Sequence, residues 1–191
     1  MNKTGLFFLA ILGFCTACSN PNPTPKPRAY FEIKLPVPEY ITENDCGPFS
    51  FEISKYSYLR KDHKSTETLW FDIHYPQLNA TIYCNYLPIN NENRSKIENA
   101  NQEFVTLHLK KAAAFQEQTF ENPEENVFGI LYKINGNVAS PTQFLLTDSV
   151  HSIFRGVLYF EKMVQQDSIA PVLEYINNDI ETLIESFRWK M

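Results

Sequence analysis

The sequence predicts an α+β domain in which a mostly antiparallel sheet is packed with two long helices. Most of the chain alternates apolar and polar residues with period two, which is typical of half-buried strands. Two stretches, residues 97–115 and 169–189, instead place apolar residues at helical spacing. Because the order is strands, helix, strands, helix, we expect one sheet that carries helices on its faces.

Residues 1–17 predict a lipoprotein signal peptide. Lys3 precedes ten apolar residues, 5–14, whose helix would rise only ~15 Å against a ~30 Å hydrocarbon core. The small residues Thr16 and Ala17 then precede Cys18. A cysteine directly after the cleavage point accepts the diacylglycerol of bacterial lipoproteins, so Cys18 is the predicted lipid attachment site. Cys15 stands where such signals usually have leucine, and an ordinary cleaved signal is the alternative.

Residues 18–28 predict the lipidated cysteine followed by a proline-rich linker. Four prolines alternate with polar residues there, a pattern that favours polyproline II. At ~3.1 Å per residue, about ten residues make a spacer of roughly 30 Å. Residues 29–191 are then expected to form a single α+β domain, since one domain suits that length.

The first half of this domain reads as strands. Residues 29–40 predict a short edge strand that ends in an extended arm, because Pro36 and Pro38 interrupt it. Residues 41–48 and 60–68 contain turn and charge signals and predict loops. The remaining predicted strands are residues 49–59, 69–75 and 80–86.

The second half is predicted to form a helix, a meander of three strands and a second helix. Residues 97–115 predict an amphipathic helix whose apolar face lies on the sheet. Three strands should follow, with a tight turn at Asn135 and Gly136 between the first two. They cover residues 127–134, 139–147 and 152–160. Residues 169–189 carry a continuous apolar stripe and predict the second long helix.

Charge and motif content exclude several function classes. Without Lys3, 16 basic side chains face 22 acidic ones, a net charge of about −6, which argues against a nucleic-acid surface. The sequence has no phosphate loop, no dinucleotide-binding glycine pattern and no zinc-protease helix. We therefore predict no cofactor, no metal and no small-molecule substrate.

A catalytic role is not predicted either. Asp148, Ser149 and His151 are residue types of a hydrolase, but residues so close in sequence do not usually line up as nucleophile, base and orienting acid. The Gly-x-Ser-x-Gly elbow is also missing. The four histidines show no metal-ligand spacing among themselves.

Cys46 and Cys84 form a candidate disulfide. They are the two cysteines that remain once Cys15 leaves with the signal and Cys18 carries lipid. Disulfides persist in the oxidising bacterial envelope, so the two residues could pair there. Two separate buried thiols are the alternative, because a sequence does not show whether two Cα atoms approach within ~6 Å.

Several segments, in the same order, resemble the gliding-motility lipoprotein GldD family of Bacteroidetes-type bacteria. The likeness runs from about Pro25 to Lys190. It rests on these segments: residues 25–31 (PKPRAYF), 48–51 (PFSF), 70–76 (WFDIHYP), 129–132 (GILY), 136–140 (GNVAS), 143–148 (QFLLTD), 154–160 (FRGVLYF) and 187–190 (FRWK). The order of elements alone also resembles the PsbP/Mog1-like sandwich.

The resemblance implies a membrane-anchored, non-catalytic component of the gliding and type IX secretion apparatus. Its partners would be the membrane, through the N-terminal lipid, and other envelope proteins. A periplasmic lipid- or glycan-binding module is the alternative, and an envelope hydrolase is a weaker one. Residues 19–23 contain no acid. Since the surface-export signals of this lineage are acidic, we expect a periplasm-facing anchor on the inner or outer membrane.

Overall fold

The computed structural model describes residues 34–62, 69–90, 92–93, 95, 114–136, 138–161 and 166–190. This part of the chain contains ten strands in two antiparallel sheets, one α-helix and a short 3-10 helix, Pro123–Glu125. The strands are β1 (Tyr40–Glu43), β2 (Phe49–Ser54), β3 (Tyr58–Asp62), β4 (Leu69–Tyr75), β5 (Ala80–Pro88), β6 (Ala114–Asn122), β7 (Val127–Asn135), β8 (Thr142–Thr147), β9 (Ser152–Phe160) and β10 (Arg188–Trp189). The helix is α1 (Gln166–Ser186).

The larger sheet has seven strands in the order β3-β4-β5-β9-β8-β7-β6. The smaller sheet has three, in the order β1-β2-β10. Every strand pair in both sheets is antiparallel. Residues that alternate along a strand point to opposite faces, so the larger sheet has an inner face toward β2 and α1 and an outer face away from them.

The two central hairpins form where the sequence predicts them. β4 has the predicted bounds, and its turn to β5 closes with a bond from the Leu78 amide to the Tyr75 carbonyl oxygen, 3.1 Å. Asn79 ends that turn with φ 48°, a left-handed conformation that asparagine tolerates. Gly136 follows β7 with φ 125°, which only glycine adopts without strain. β9 also has the predicted bounds.

An aromatic core joins the two sheets and the helix. Phe49 of β2 lies at its centre and is fully buried. Its ring centroid lies 5.0 Å from that of Phe154 on β9 and 5.5 Å from that of Phe187, which follows α1. Phe51 and Phe71 stack beside them with nearly parallel rings, 6.1 Å apart. These aromatic side chains therefore form the centre of the core.

Helix α1 confirms the predicted apolar stripe, but the helix ends earlier than predicted. The predicted positions are buried along the helix, including Val172, Ile176, Ile180, Leu183 and Ile184. The helix stops at Ser186, three residues before the predicted end. The chain instead returns to β2, where Trp189 is in register with Phe49. Strand pairing with a distant segment therefore ends the helix.

The predicted fold class is wrong. The described part of the chain is mostly β-sheet with a single long helix, not an α+β sandwich with two long helices. The first predicted helix, residues 97–115, lies outside the described residues except for its last two. Those two residues, Ala114 and Phe115, begin β6, which pairs with β7 along nine residues. The predicted PsbP/Mog1-like sandwich is wrong as well, because it depended on the two-helix arrangement.

Three further boundaries differ from the predictions. Residues 49–59 form two strands, because a turn at Lys55 and Tyr56 closes with a bond from the Ser57 amide to the Ser54 carbonyl oxygen. Part of the predicted loop 41–48 belongs to β1, which pairs with β2. Part of the predicted loop 60–68 extends β3, which pairs with β4. Each segment became a strand because a distant partner completes its hydrogen bonds.

Candidate functional site

The outer face of the larger sheet carries an exposed aromatic surface. We define this outer aromatic surface as Tyr58, Trp70, Tyr83 and Tyr159, from β3, β4, β5 and β9. Tyr58, Trp70 and Tyr83 are each nearly half exposed, at 49%, 48% and 45%. The rings of Tyr83 and Tyr159 meet edge to face with centroids 5.6 Å apart. Exposed aromatic rings are common in recognition surfaces.

A cavity of about 340 Å³ opens beside two of these rings. Its lining is formed by Thr81, Tyr83, Tyr159, Phe160 and Glu161. One of these residues, Thr81, is held in place by the buried His74, whose Nδ1 atom lies 2.9 Å from Oγ1 of Thr81. The Glu161 carboxylate lies 3.9 Å from the same imidazole nitrogen. The cavity therefore offers ring faces, hydroxyl groups and one carboxylate.

A second polar cluster lies inside the protein. Asp179 of α1 is 2% exposed and accepts a hydrogen bond from the Tyr40 hydroxyl at 3.0 Å. Burial raises the pKa of the Asp179 carboxyl, although the nearby hydroxyl groups of Tyr40, Tyr75 and Ser54 act in the opposite direction. The second carboxylate oxygen, the Ser54 hydroxyl and the Tyr175 hydroxyl are buried without a hydrogen-bond partner. The cluster ties α1 to β1, β2 and β4.

The Asp179→Asn substitution should flatten part of the pH dependence of stability. A folded-state pKa above the ordinary value of 3.8 means that the folded protein holds this proton more tightly than the unfolded chain. The resulting stability is present below pH 3.8 and is lost as the pH rises through the folded-state pKa. We expect Tm to fall less steeply over this interval in the variant, measured by thermal unfolding from pH 3.5 to 8. Parallel Tm curves for the two proteins would contradict this account.

Asp148, Ser149 and His151 form a turn between β8 and β9. The Asp148 Oδ1 atom accepts bonds from the amides of Val150, His151 and Ser152, at 2.7–2.9 Å. Burial raises the pKa of Asp148, but these three bonds outweigh it and hold the pKa below its usual value. The His151 side chain is exposed, with Nδ1 3.8 Å from Asp148 Oδ2. The Asp148 carboxylate therefore holds the turn between β8 and β9.

Metal-ligand geometry is not found in the described part of the chain. Within those residues, no three histidine, cysteine, aspartate or glutamate side chains lie close enough together to hold an ion. His74 packs its ring edge to face against Tyr58, with centroids 5.2 Å apart. His63 and His108 lie outside the described residues.

Cys46 and Cys84 are both buried in the core as free thiols. Burial raises the pKa of Cys46 to about 12, with the Glu43 charge acting in the same direction. Burial also raises the pKa of Cys84, and the nearby Cys46 adds to the effect. Because the thiolate is the reactive form, the raised pKa values disfavour thiol–disulfide exchange at both residues. A disulfide between them stays a prediction.

The outer aromatic surface and the Asp179 cluster were not predicted from the sequence, for different reasons. The outer aromatic surface had a signal, since alternation that puts Phe71 and Ile73 inside also puts Trp70 and His74 outside. The Asp179 cluster had none, because 139 positions separate Tyr40 from Asp179. Cys18, the predicted lipid site, lies outside the described residues.

Among the described residues, no helix combines the length with the apolar content that a membrane crossing requires. A search of curated protein sequences returned no match. A comparison with protein families matches residues 20–189 of the 191 to the family described as gliding motility lipoprotein GldD. Since the match covers nearly the whole chain, this protein belongs to the gliding-motility lipoprotein GldD family.

Proposed function

We propose that the protein is a non-catalytic component of the gliding-motility apparatus and of the type IX secretion machinery associated with it. The observation that carries the proposal is the family match over residues 20–189. In this reading, the domain contacts other proteins of the cell envelope and converts no substrate.

The described polar residues support an interaction role. The hydrolase-type residues Asp148, Ser149 and His151 build a turn, and Asp179 builds an internal hydrogen-bonded cluster. The exposed groups are instead aromatic side chains on one sheet face and a carboxylate-bearing sheet edge. Such groups bind other molecules without covalent chemistry.

We place the anchor at Cys18, with the domain of residues 29–191 on the periplasmic side. The signal-like residues 1–17 would be removed, palmitate and diacylglycerol would hold Cys18 in the membrane, and residues 18–28 would act as the spacer. The lack of acid in residues 19–23 supports retention on the periplasmic side. Two acyl chains or more are needed for stable anchoring, which a lipidated cysteine provides.

The Cys18→Ala substitution tests the anchor. We expect the variant to lose palmitate labelling completely and to move from the membrane fraction to the soluble fraction, with loss of gliding in a deletion strain that carries it. Cys15→Ala is the matched control and should retain labelling, since bulky Phe14 precedes that residue. Normal spreading and secretion in the deletion strain itself would contradict the proposed function. Removal of the domain by protease on intact cells would contradict the periplasmic side.

A glycan-binding module is the second candidate, and the cavity beside Tyr83 and Tyr159 favours it. Ring faces with hydroxyl groups and a carboxylate suit a saccharide better than an acyl chain, which requires a deeper apolar pocket. Titration with soluble cell-wall saccharides, followed by tyrosine fluorescence, distinguishes this candidate from a purely protein-binding role.

A further inference from the structure

Strand β6 is a long, exposed edge of the larger sheet. It pairs with β7 along all nine of its residues, and it is the last strand in the sheet order. Five of its first six residues are exposed, and no residue of the strand is buried. In the described part of the chain, no further strand is bonded to its other side. About half of its backbone N–H and C=O groups therefore point away from β7.

The opposite edge of the same sheet, β3, is protected against pairing with other strands. β3 has only five residues and carries Arg60 and Lys61. Arg60 is bonded to Asp72, at 2.7 Å and 3.0 Å, and Lys61 donates to the Asp45 carbonyl oxygen at 2.7 Å. Short length and edge lysine are devices that prevent pairing with other strands. β6 has neither device, and it contains no proline.

The side chains of β6 indicate which charge a partner strand would need in order to pair with this edge. Phe115, Glu117, Thr119 and Glu121 alternate and therefore share one face. Phe115 is 52% exposed. Among the described residues, no ion pair includes Glu117 or Glu121. The edge thus presents two acidic groups, four residues apart, beside one apolar ring.

We propose that the free edge of β6 binds an extended segment of a partner protein, which adds an eighth strand and places two basic side chains opposite Glu117 and Glu121. Backbone bonds give such strand addition its affinity, and side chains at alternate positions give it specificity. The inference rests on the proposed interaction role and deepens it by naming the surface and the chemistry of the partner.

A second copy of this chain fits the edge less well. In the antiparallel register that pairs all nine residues, Glu117 of one copy lies diagonal to Glu117 and Glu121 of the other. Like charges at neighbouring positions on one sheet face destabilise the pairing. The charge of the edge therefore favours a basic segment over the same strand.

The test uses a fluorescein-labelled nine-residue peptide of alternating threonine and valine, with lysine at two positions four apart. Binding to the full chain, purified in detergent, is measured by fluorescence anisotropy at low salt. We expect this peptide to bind about tenfold more tightly than one with glutamate at the same two positions. The Glu117→Lys, Glu121→Lys double variant should reverse the preference, and the Glu117→Gln, Glu121→Gln variant should abolish it.

A third peptide separates strand addition from charge attraction alone. It keeps both lysines but has proline at the intervening positions, which removes the backbone donors. We expect it not to bind. Equal affinities for the lysine and glutamate peptides, or equal affinities for the lysine and proline peptides, would overturn the proposal. A dimer seen by light scattering that the charge-reversed variant alters would also overturn it, in favour of a second copy.

The two proposals fail independently. Peptide binding does not depend on Cys18 or on gliding, so its loss would leave the anchor and the motility role in place. Conversely, normal gliding in the deletion strain would not change the affinity of the edge for the lysine peptide.

Discussion

Replacing Phe49 with alanine is expected to lower the free energy of unfolding by about 3–5 kcal/mol, the usual cost of removing a buried phenylalanine ring. Phe49 is fully buried. Its ring contacts those of Phe51, Phe71, Phe154 and Phe187, with centroids 5.0–6.1 Å away. The cavity would therefore open where both sheets and the exit from α1 meet. For a domain of this size, the loss corresponds to a fall in Tm on the order of 10 °C.

The matched control is Phe115→Ala. It removes the same ring from a position that is 52% exposed, so the change should stay within about 0.5 kcal/mol. Urea unfolding followed by tryptophan fluorescence gives both free energies. Equal losses in the two variants would contradict the central role assigned to Phe49.

Replacing Gly156 with alanine should be the second most damaging change. A Cβ atom at this position would lie 2.2 Å from two ring atoms of Phe144 on the neighbouring strand β8. Phe144 is 3% exposed and packs against Phe154, with centroids 5.8 Å apart. The ring therefore has little room to move, and overpacking of this kind costs about 1–3 kcal/mol. We expect a lower urea midpoint with an unchanged m-value.

A double variant shows whether the clash is the cause. Phe144→Leu alone should destabilise the protein, because it shortens a buried side chain. Combined with Gly156→Ala, it should cost less than the sum of the two single changes, since the smaller side chain makes room for the new methyl group. Strictly additive losses would show that Gly156 is needed for a reason other than its contact with Phe144.

Local patterns were sufficient for the strands that lie in the middle of the larger sheet. β4 and β9 have the predicted bounds because both alternate and have partners on two sides. The stripe on α1 was also readable, since one helix face is buried along its length. In these elements, the spacing of apolar residues along the sequence matches the spacing of the buried side chains.

The strands at the sheet edges could not be predicted from local patterns in the same way. β6 has mostly polar residues and weak alternation, and it is a strand because β7 supplies its hydrogen bonds. For the same reason, Arg188 and Trp189 leave the helical pattern and pair with β2. Propensity at an edge is weak, so tertiary pairing decides.

The sequence by itself determined the predicted export signal, the family and the central strands. Those conclusions depend on residue identity and on spacing within a few positions. The tertiary structure alone decided the mostly β architecture of the described residues, the contact between Tyr40 and Asp179, and the position of β6 at the edge of the larger sheet. These features depend on which distant segments meet. Strand pairing and burial are settled by the whole chain, because a backbone group or a carboxylate must find its partner wherever the fold places one.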